Sequence, residues 1–129
     1  MSEPRDTITR LAEGGAIGAG LAVMPGTDTN KQAKLPTGAG VRSLGVTLIK
    51  ADAAGRPLTI ATGGVCPCVA KSTIAVGDLI EVAGTDGKWK AAAPATGVNA
   101  LAAGMALTSA TVEDDIFDAQ ITPSTMQGA

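Results

Sequence analysis

Thr73 to Ala92, TIAVGDLIEVAGTDGKWKAA, carries the strongest strand-turn-strand signal in the chain. Val76-Gly77-Asp78 reads as a tight turn and Leu79 to Ala83 as a short apolar strand. Thr85-Asp86-Gly87 then reverses the chain, and Lys88-Trp89-Lys90 opens the return strand of a β-hairpin. Asp86-Gly87 suits the turn because glycine has no Cβ and aspartate tolerates positive φ better than most residues. Trp89 stands between two lysines, so period-two alternation sends the indole to one face and both ammonium groups to the other. One face of the hairpin is therefore buried, and Trp89 is expected in the core, where its truncation would cost roughly 3 to 5 kcal/mol.

The rest of the chain has the same texture. Aromatic residues are only 2% of 129 while hydrophobic residues are 45%, so the core must be built from Ala, Val, Ile and Leu. The 17 Gly and 7 Pro are spread along the whole length, which predicts many short strands joined by turns and argues against long helices. A net charge of -2 offers no basic patch for duplex nucleic acid and no polybasic membrane segment. Ala16 to Met24 is apolar but too short to span a bilayer, and no basic region precedes it, so a soluble, non-exported chain is expected.

Residues 1–15 are polar, carry five charges and end in Gly14-Gly15, so they read as an N-terminal arm before a β-rich domain of residues 16–129. Disorder in the free chain is the first expectation for the arm; Thr7-Ile8-Thr9 also has the character of a strand, and a helical turn from Asp6 through Glu13 is the weaker alternative. Gly20 to Met24 is a predicted strand closed by Pro25-Gly26, and Thr27 to Lys34 a polar loop or exposed strand. Val41 to Ala51 alternates as a half-buried strand with Gly45 marking a bulge or a close backbone approach. Pro57 to Ala61 is a strand that Gly63-Gly64 separates from Val65 to Ala70. Pro94 to Asn99 reads as a loop. Ala100 to Thr108 is an apolar strand, because Gly104 at its centre disfavours a helix by about 1 kcal/mol relative to alanine. Ile116 to Ile121 closes the domain and Pro123 to Ala129 is a tail.

The sequence also repeats itself. Ile17-Gly18-Ala19-Gly20 lies over Ile74-Ala75-Val76-Gly77, and Gly26-Thr27-Asp28 over Gly84-Thr85-Asp86. Gly45-Val46-Thr47-Leu48 lies over Gly104-Met105-Ala106-Leu107, and Leu58-Thr59-Ile60 over Phe117-Asp118-Ala119. The offset drifts only from 57 (17 to 74) to 59 (45 to 104). One β-unit used twice is expected to close into a small barrel without exposed sheet edges.

Chemistry is sparse. With no histidine, Ser-His-Asp and Cys-His arrangements are excluded, and two cysteines cannot build a closed zinc site within one chain. Cys66 and Cys68 read as reduced, buried thiols, since strand neighbours two apart rarely have disulfide geometry. Gly64 to Ser72 ends in Lys-Ser like a phosphate loop but has Ala70 and Val65 where glycines are required. Asp114, Asp115 and Asp118 cluster on a turn where solvation is the ordinary role. No catalytic residue, cofactor or metal is expected.

Four runs, Gly45-Val46-Thr47-Leu48, Ile74 to Leu79, Gly84-Thr85-Asp86-Gly87-Lys88-Trp89 and Leu101 to Leu107, together resemble the capsid cement, or head decoration, proteins of tailed phages. The similarity extends from about Ala16 to Thr122 and leaves the arm outside it. The resemblance implies a small β-rich virion protein, commonly a homotrimer, that binds the major capsid protein on the outer surface of an assembled shell and reinforces it. Thr7, Ile8 and Thr9 are the candidate capsid or subunit contact, by strand addition of the arm to a neighbour. The alternative from another class is a β-barrel ligand- or carbohydrate-binding module of a phage tail or bacterial surface, which exposed aromatic residues would favour.

Overall fold

The computed structural model describes residues 5–28, 31–41, 43–92 and 99–127, the side chains being described for residues 7–28, 31–41, 43–92 and 102–122. Among them there are nine strands and no helix, hence none long and apolar enough to cross a membrane. The strands are β1 (Arg5–Ala12), β2 (Ala22–Pro25), β3 (Gln32–Lys34), β4 (Gly45–Thr47), β5 (Pro57–Val69), β6 (Leu79–Val82), β7 (Trp89–Ala91), β8 (Asn99–Ala106) and β9 (Ile116–Gln127). They form one sheet in the order β1-β3-β2-β4-β5-β9-β8-β6-β7, and pairing of β1 with β5 closes the first five strands into a barrel. The all-β, barrel-like fold expected from the glycine and proline spacing is the fold observed.

The hairpin lies where its sequence puts it. Ile80, Glu81 and Val82 pair with Ala91, Lys90 and Trp89, and Gly87 has φ 79° in the turn. Trp89 is fully buried and its Nε1–H donates to the Gly20 carbonyl at 3.2 Å. That bond satisfies the one polar group the indole carries into the core.

Backbone pairing makes the duplication explicit. Ile17 bridges Ala51 as Ile74 bridges Ala110. Val23 pairs with Gly45 as Ile80 pairs with Gly104, and the Leu48 N–H donates to Thr59 as the Leu107 N–H donates to Asp118. Even the core is duplicated: Ala12, Ile17, Val23, Ala33, Ala51, Leu58 and Ile60 of the first unit correspond to Ala70, Ile74, Ile80, Trp89, Ala110, Phe117 and Ala119 of the second. The hydrogen-bonded frame also shifts one detail of the sequence alignment. Gly26 N–H donates to Gln32 as Ala83 N–H donates to Lys88, so the two Gly-Thr-Asp triplets stand one place out of step.

Three expectations need correction. Residues 5–12, expected as an arm outside the body, are a strand with Arg5 to Leu11 paired along β5; Ala12 is in the core and Ile8 packs against it. Gly63-Gly64 does not divide two strands. β5 runs through it, pairing first with β1 and β4 and then with β9, and Gly64, at φ 93°, absorbs the change beside a bulge opposite Asp6 and Thr7. Thus β5 ends the first unit and begins the second. Finally, β9 continues past Ile121 to Gln127. Pro123 is tolerated because the register slips between Ala102 and Gly104, so the missing N–H falls at a bulge. The loop expected over Pro94 to Asn99 lies, up to residue 98, outside the described residues, as do the first four residues of the arm and the last two of the tail.

The second unit packs on the outer face of the first. Ala22, Val46 and Ala61 belong to the same apolar cluster as Trp89 and Phe117, with Val41 and Leu48 packed against it. Backbone bonds from Ala22 to Gly87, Gly40 to Val82 and Val69 to Gly20 fix the contact.

Candidate interaction surface

Thr7, Ile8 and Thr9 pair with Ala61, Ile60 and Thr59 of the same chain. Thr7 and Thr9 are exposed, whereas Ile8 is half-buried against the first core. Because β3 meets β1 only at Leu11 and Ala12, β3 does not cover the preceding stretch of β1. What sequence offered as a free arm is therefore a fixed edge.

A charged cluster caps one end of the second unit. Lys71 Nζ lies 3.0 Å from Asp86 Oδ2 and 3.2 Å from Glu113 Oε2, while Lys88 Nζ lies 2.8 Å from Glu113 and 2.7 Å from Asp114. Hydrogen bonds to Asp114 and Glu113 hold Lys88 protonated well above the usual lysine range, and those to Asp86 and Glu113 raise Lys71. The Glu113 carboxyl is held low by Lys88 and Lys71. Asp86 is also lowered: its partial burial acts to raise it, but hydrogen bonds from Lys71 and the Lys88 backbone prevail. Each charge has a partner, so the cluster ties the β6–β7 turn to the turn before β9 without presenting a reactive group. Asp115 plays a local part, accepting bonds from the Thr111 backbone, the Thr111 hydroxyl and the Val112 backbone, which lower its pKa.

Cys66 and Cys68 are buried thiols outside any disulfide, and burial, with Cys66 and Asp118 nearby, pushes the Cys68 pKa far up. Such a thiol is a poor nucleophile. Among the described residues no three His, Cys, Asp or Glu side chains are grouped to hold a metal. A shallow cleft of about 290 Å3 is lined by Glu13, Gly14, Gly15, Ala16, Ile17, Lys34 and Leu35. Glu13 is engaged there, its Oε1 accepting the Thr27 N–H at 2.9 Å.

The outer surface of the second unit is more apolar than its composition suggests. Met105 and Leu107 are exposed at alternate positions, with Leu79 half-buried in register with Met105, while Val76, Val112 and Ile116 are exposed at other points of the unit. Residue-by-residue reading missed this patch, although the repeat carried the signal by setting Met105 and Leu107 over Val46 and Leu48.

No family model matches the chain, and no curated protein does. Among solved structures, the chain is similar in fold to the N base of the head fiber gp8.5 of bacteriophage phi29, with a TM-score of 0.67 and 16% identity over 96% of this chain and 99% of that one.

Proposed function

We propose that this chain is a non-catalytic structural protein of a phage virion, attached to the outside of the assembled head as a homotrimer through the major capsid protein, and that it stabilises the shell. The observation that carries this reading is the similarity in fold, over nearly the whole of both chains, to the base of a phage head fiber. The resemblance of the glycine-rich runs to head decoration proteins supports the same placement and adds the stabilising role. The exposed edge of β1 at Thr7 and Thr9 is the proposed contact with the capsid, now as a fixed strand edge. The carbohydrate-module reading is disfavoured because both aromatic residues, Trp89 and Phe117, are buried. A ligand that binds only the closed lattice shifts its opening equilibrium by mass action, and a trimer spanning several capsid subunits gains avidity. The test is co-sedimentation of purified protein with undecorated particles, followed by heating. Binding with a raised opening temperature is expected; binding without that rise would remove the stabilising role, and absence of binding would remove the attachment.

A further inference from the structure

The two units are alike, but their outer faces are not equally covered. On the first unit Ala22, Val46 and Ala61 are fully buried because the second unit lies across them. The corresponding positions on the second unit are Leu79, Met105 and Gln120, paired in the same frame: Ala22 with Val46 and Val46 with Ala61, as Leu79 with Met105 and Met105 with Gln120. Met105 is 39% exposed and Leu107 37%, where Val46 is fully buried and Leu48 partly so. The glycines at the rim differ in the same sense. Gly20 and Gly77 share a left-handed backbone, φ 77° and 90°, yet a Cβ on Gly20 would lie 3.0 Å from Val69, whereas none of the described residues comes within 4 Å of one on Gly77.

We propose that the Leu79, Met105 and Leu107 face receives the first unit of a second copy of this chain, repeating between molecules the contact the units make within one. The inference deepens the homotrimer part of the reading above and does not depend on capsid attachment. The occupant follows from the fold itself. Within the chain the covering element is the β6–β7 hairpin, whose Val82 and Gly87 touch Gly40 and Ala22 through backbone bonds. In the first unit the equivalent hairpin is β2–β3, with Pro25 and Lys31 exposed at the positions of Val82 and Gly87. Its rim is therefore available to a neighbour while that of β6–β7 is already used. The receiving side presents Leu79, Met105 and Leu107, with Gln120 where the intramolecular face has Ala61, and covering it removes the Met105 and Leu107 side chains from water. First-unit-to-second-unit contact is head to tail, and such contacts close into rings when the rotation permits.

Sedimentation velocity of the purified full chain, without particles, tests this. The natural protein is expected to be oligomeric, and a double variant Met105→Lys with Leu107→Lys to sediment as a monomer with unchanged Trp89 fluorescence. A control pair, Ile49→Lys with Val112→Lys, changes apolar residues that are more exposed and lie outside the Leu79, Met105 and Leu107 face, and should stay oligomeric. A monomeric natural protein, or an oligomer indifferent to the first pair, overturns the proposal. Should the double variant unfold, the milder Met105→Cys decides. Mixed isotope-labelled and unlabelled chains are joined from position 105 to nearby lysines by a maleimide-succinimide reagent, Cys66 and Cys68 being buried. Intermolecular links to Lys31 or Lys34 support the head-to-tail contact. Links confined to Lys88 or Lys90, or no intermolecular links, overturn it.

Discussion

Gly55 and Asp114 occupy the same place in the two β-units and share a left-handed backbone, with φ of 85° and 74°. Gly55 N–H donates to Ala12 O as Asp114 N–H donates to Ala70 O, so the turn before each unit's last strand demands the conformation in both copies. A Cβ on Gly55 would meet nothing within 4 Å, which isolates the backbone term from packing. Gly55→Ala is therefore expected to cost about 1 to 2 kcal/mol, and Gly55→Asp less, because aspartate tolerates this region and serves there in the second unit. Urea unfolding of both variants checks the order; equal costs would show that aspartate's tolerance of positive φ gives no advantage at this turn.

Gly45 and Gly104 form the second matched pair, and here space decides. A Cβ on Gly45 would collide with the Ala61 carbonyl oxygen and lie 2.8 Å from Ile60 Cγ2; one on Gly104 would collide with the Gln120 carbonyl oxygen and lie 3.0 Å from Ile121 Cα. Both contacts are to backbone that a neighbouring strand holds in register, so relief requires the ladder to move. Gly45→Ala and Gly104→Ala are each expected to lose about 3 kcal/mol or more, read as a fall in the urea midpoint. A loss below that of Gly55→Ala would contradict the close approach.

Between them these positions show what sequence can carry. Gly45 announced a close backbone approach and Gly104 a strand, because a glycine inside an apolar alternating run weakens a helix and marks a point where a side chain has no room. Trp89 between lysines announced its own burial. The β1 strand was legible only at Thr7-Ile8-Thr9: its equivalents are Val65 to Ala70, and TITRLA shares with VCPCVA little beyond alternation. Arg10 interrupts the apolar face that Ile8 and Ala12 share and is half-buried there, so only the pairing with β5 reveals that face as the inner one. Likewise, Gly63-Gly64 and Pro123 carry the local marks of strand ends, and only partners distant in sequence convert them into bulges. The patch at Met105 and Leu107 was legible solely through the repeat, since two apolar residues in an apolar run carry no label for which face they take.

The charged cluster sets a pH signature. Glu113 and Asp86 have folded values below their ordinary 4.5 and 3.8, so the stability they add is complete above those values and is lost as pH falls through the lowered ones. Lys71 and Lys88 are raised above 10.5, so their contribution is complete below it and is lost as pH climbs through the raised values. Stability from this cluster should be flat from about pH 5 to about pH 10 and decline on both sides. Glu113→Gln should flatten the acid limb, and added salt should shrink the effect of that substitution, because Glu113 and Lys71 are exposed to solvent. Urea midpoints against pH, at low and high salt, test it; an acid limb unaltered by Glu113→Gln would place its origin elsewhere.

Removing residues 2 to 13 separates the two roles of β1. The strand closes the first barrel by pairing Arg5 to Leu11 with Pro57 to Gly64, and it contributes Ala12 to a core that includes Leu58 and Ile60. Without it the β5 edge loses its partner and both large side chains face water, an exposure worth roughly 1.5 to 3 kcal/mol for each of them. Against a total of about 5 to 15 kcal/mol for an ordinary domain, the truncated chain is expected to lose its cooperative melt. Its failure to bind particles would then say nothing about contact. Thr7→Lys with Thr9→Lys makes the distinction, because both side chains are exposed and the backbone pairing needs neither. That variant should melt within a few degrees of the natural protein and co-sediment poorly with undecorated particles. Full co-sedimentation would remove Thr7 and Thr9 from the capsid contact, and a sharp melt of the truncated chain would show that the barrel closes without its first strand.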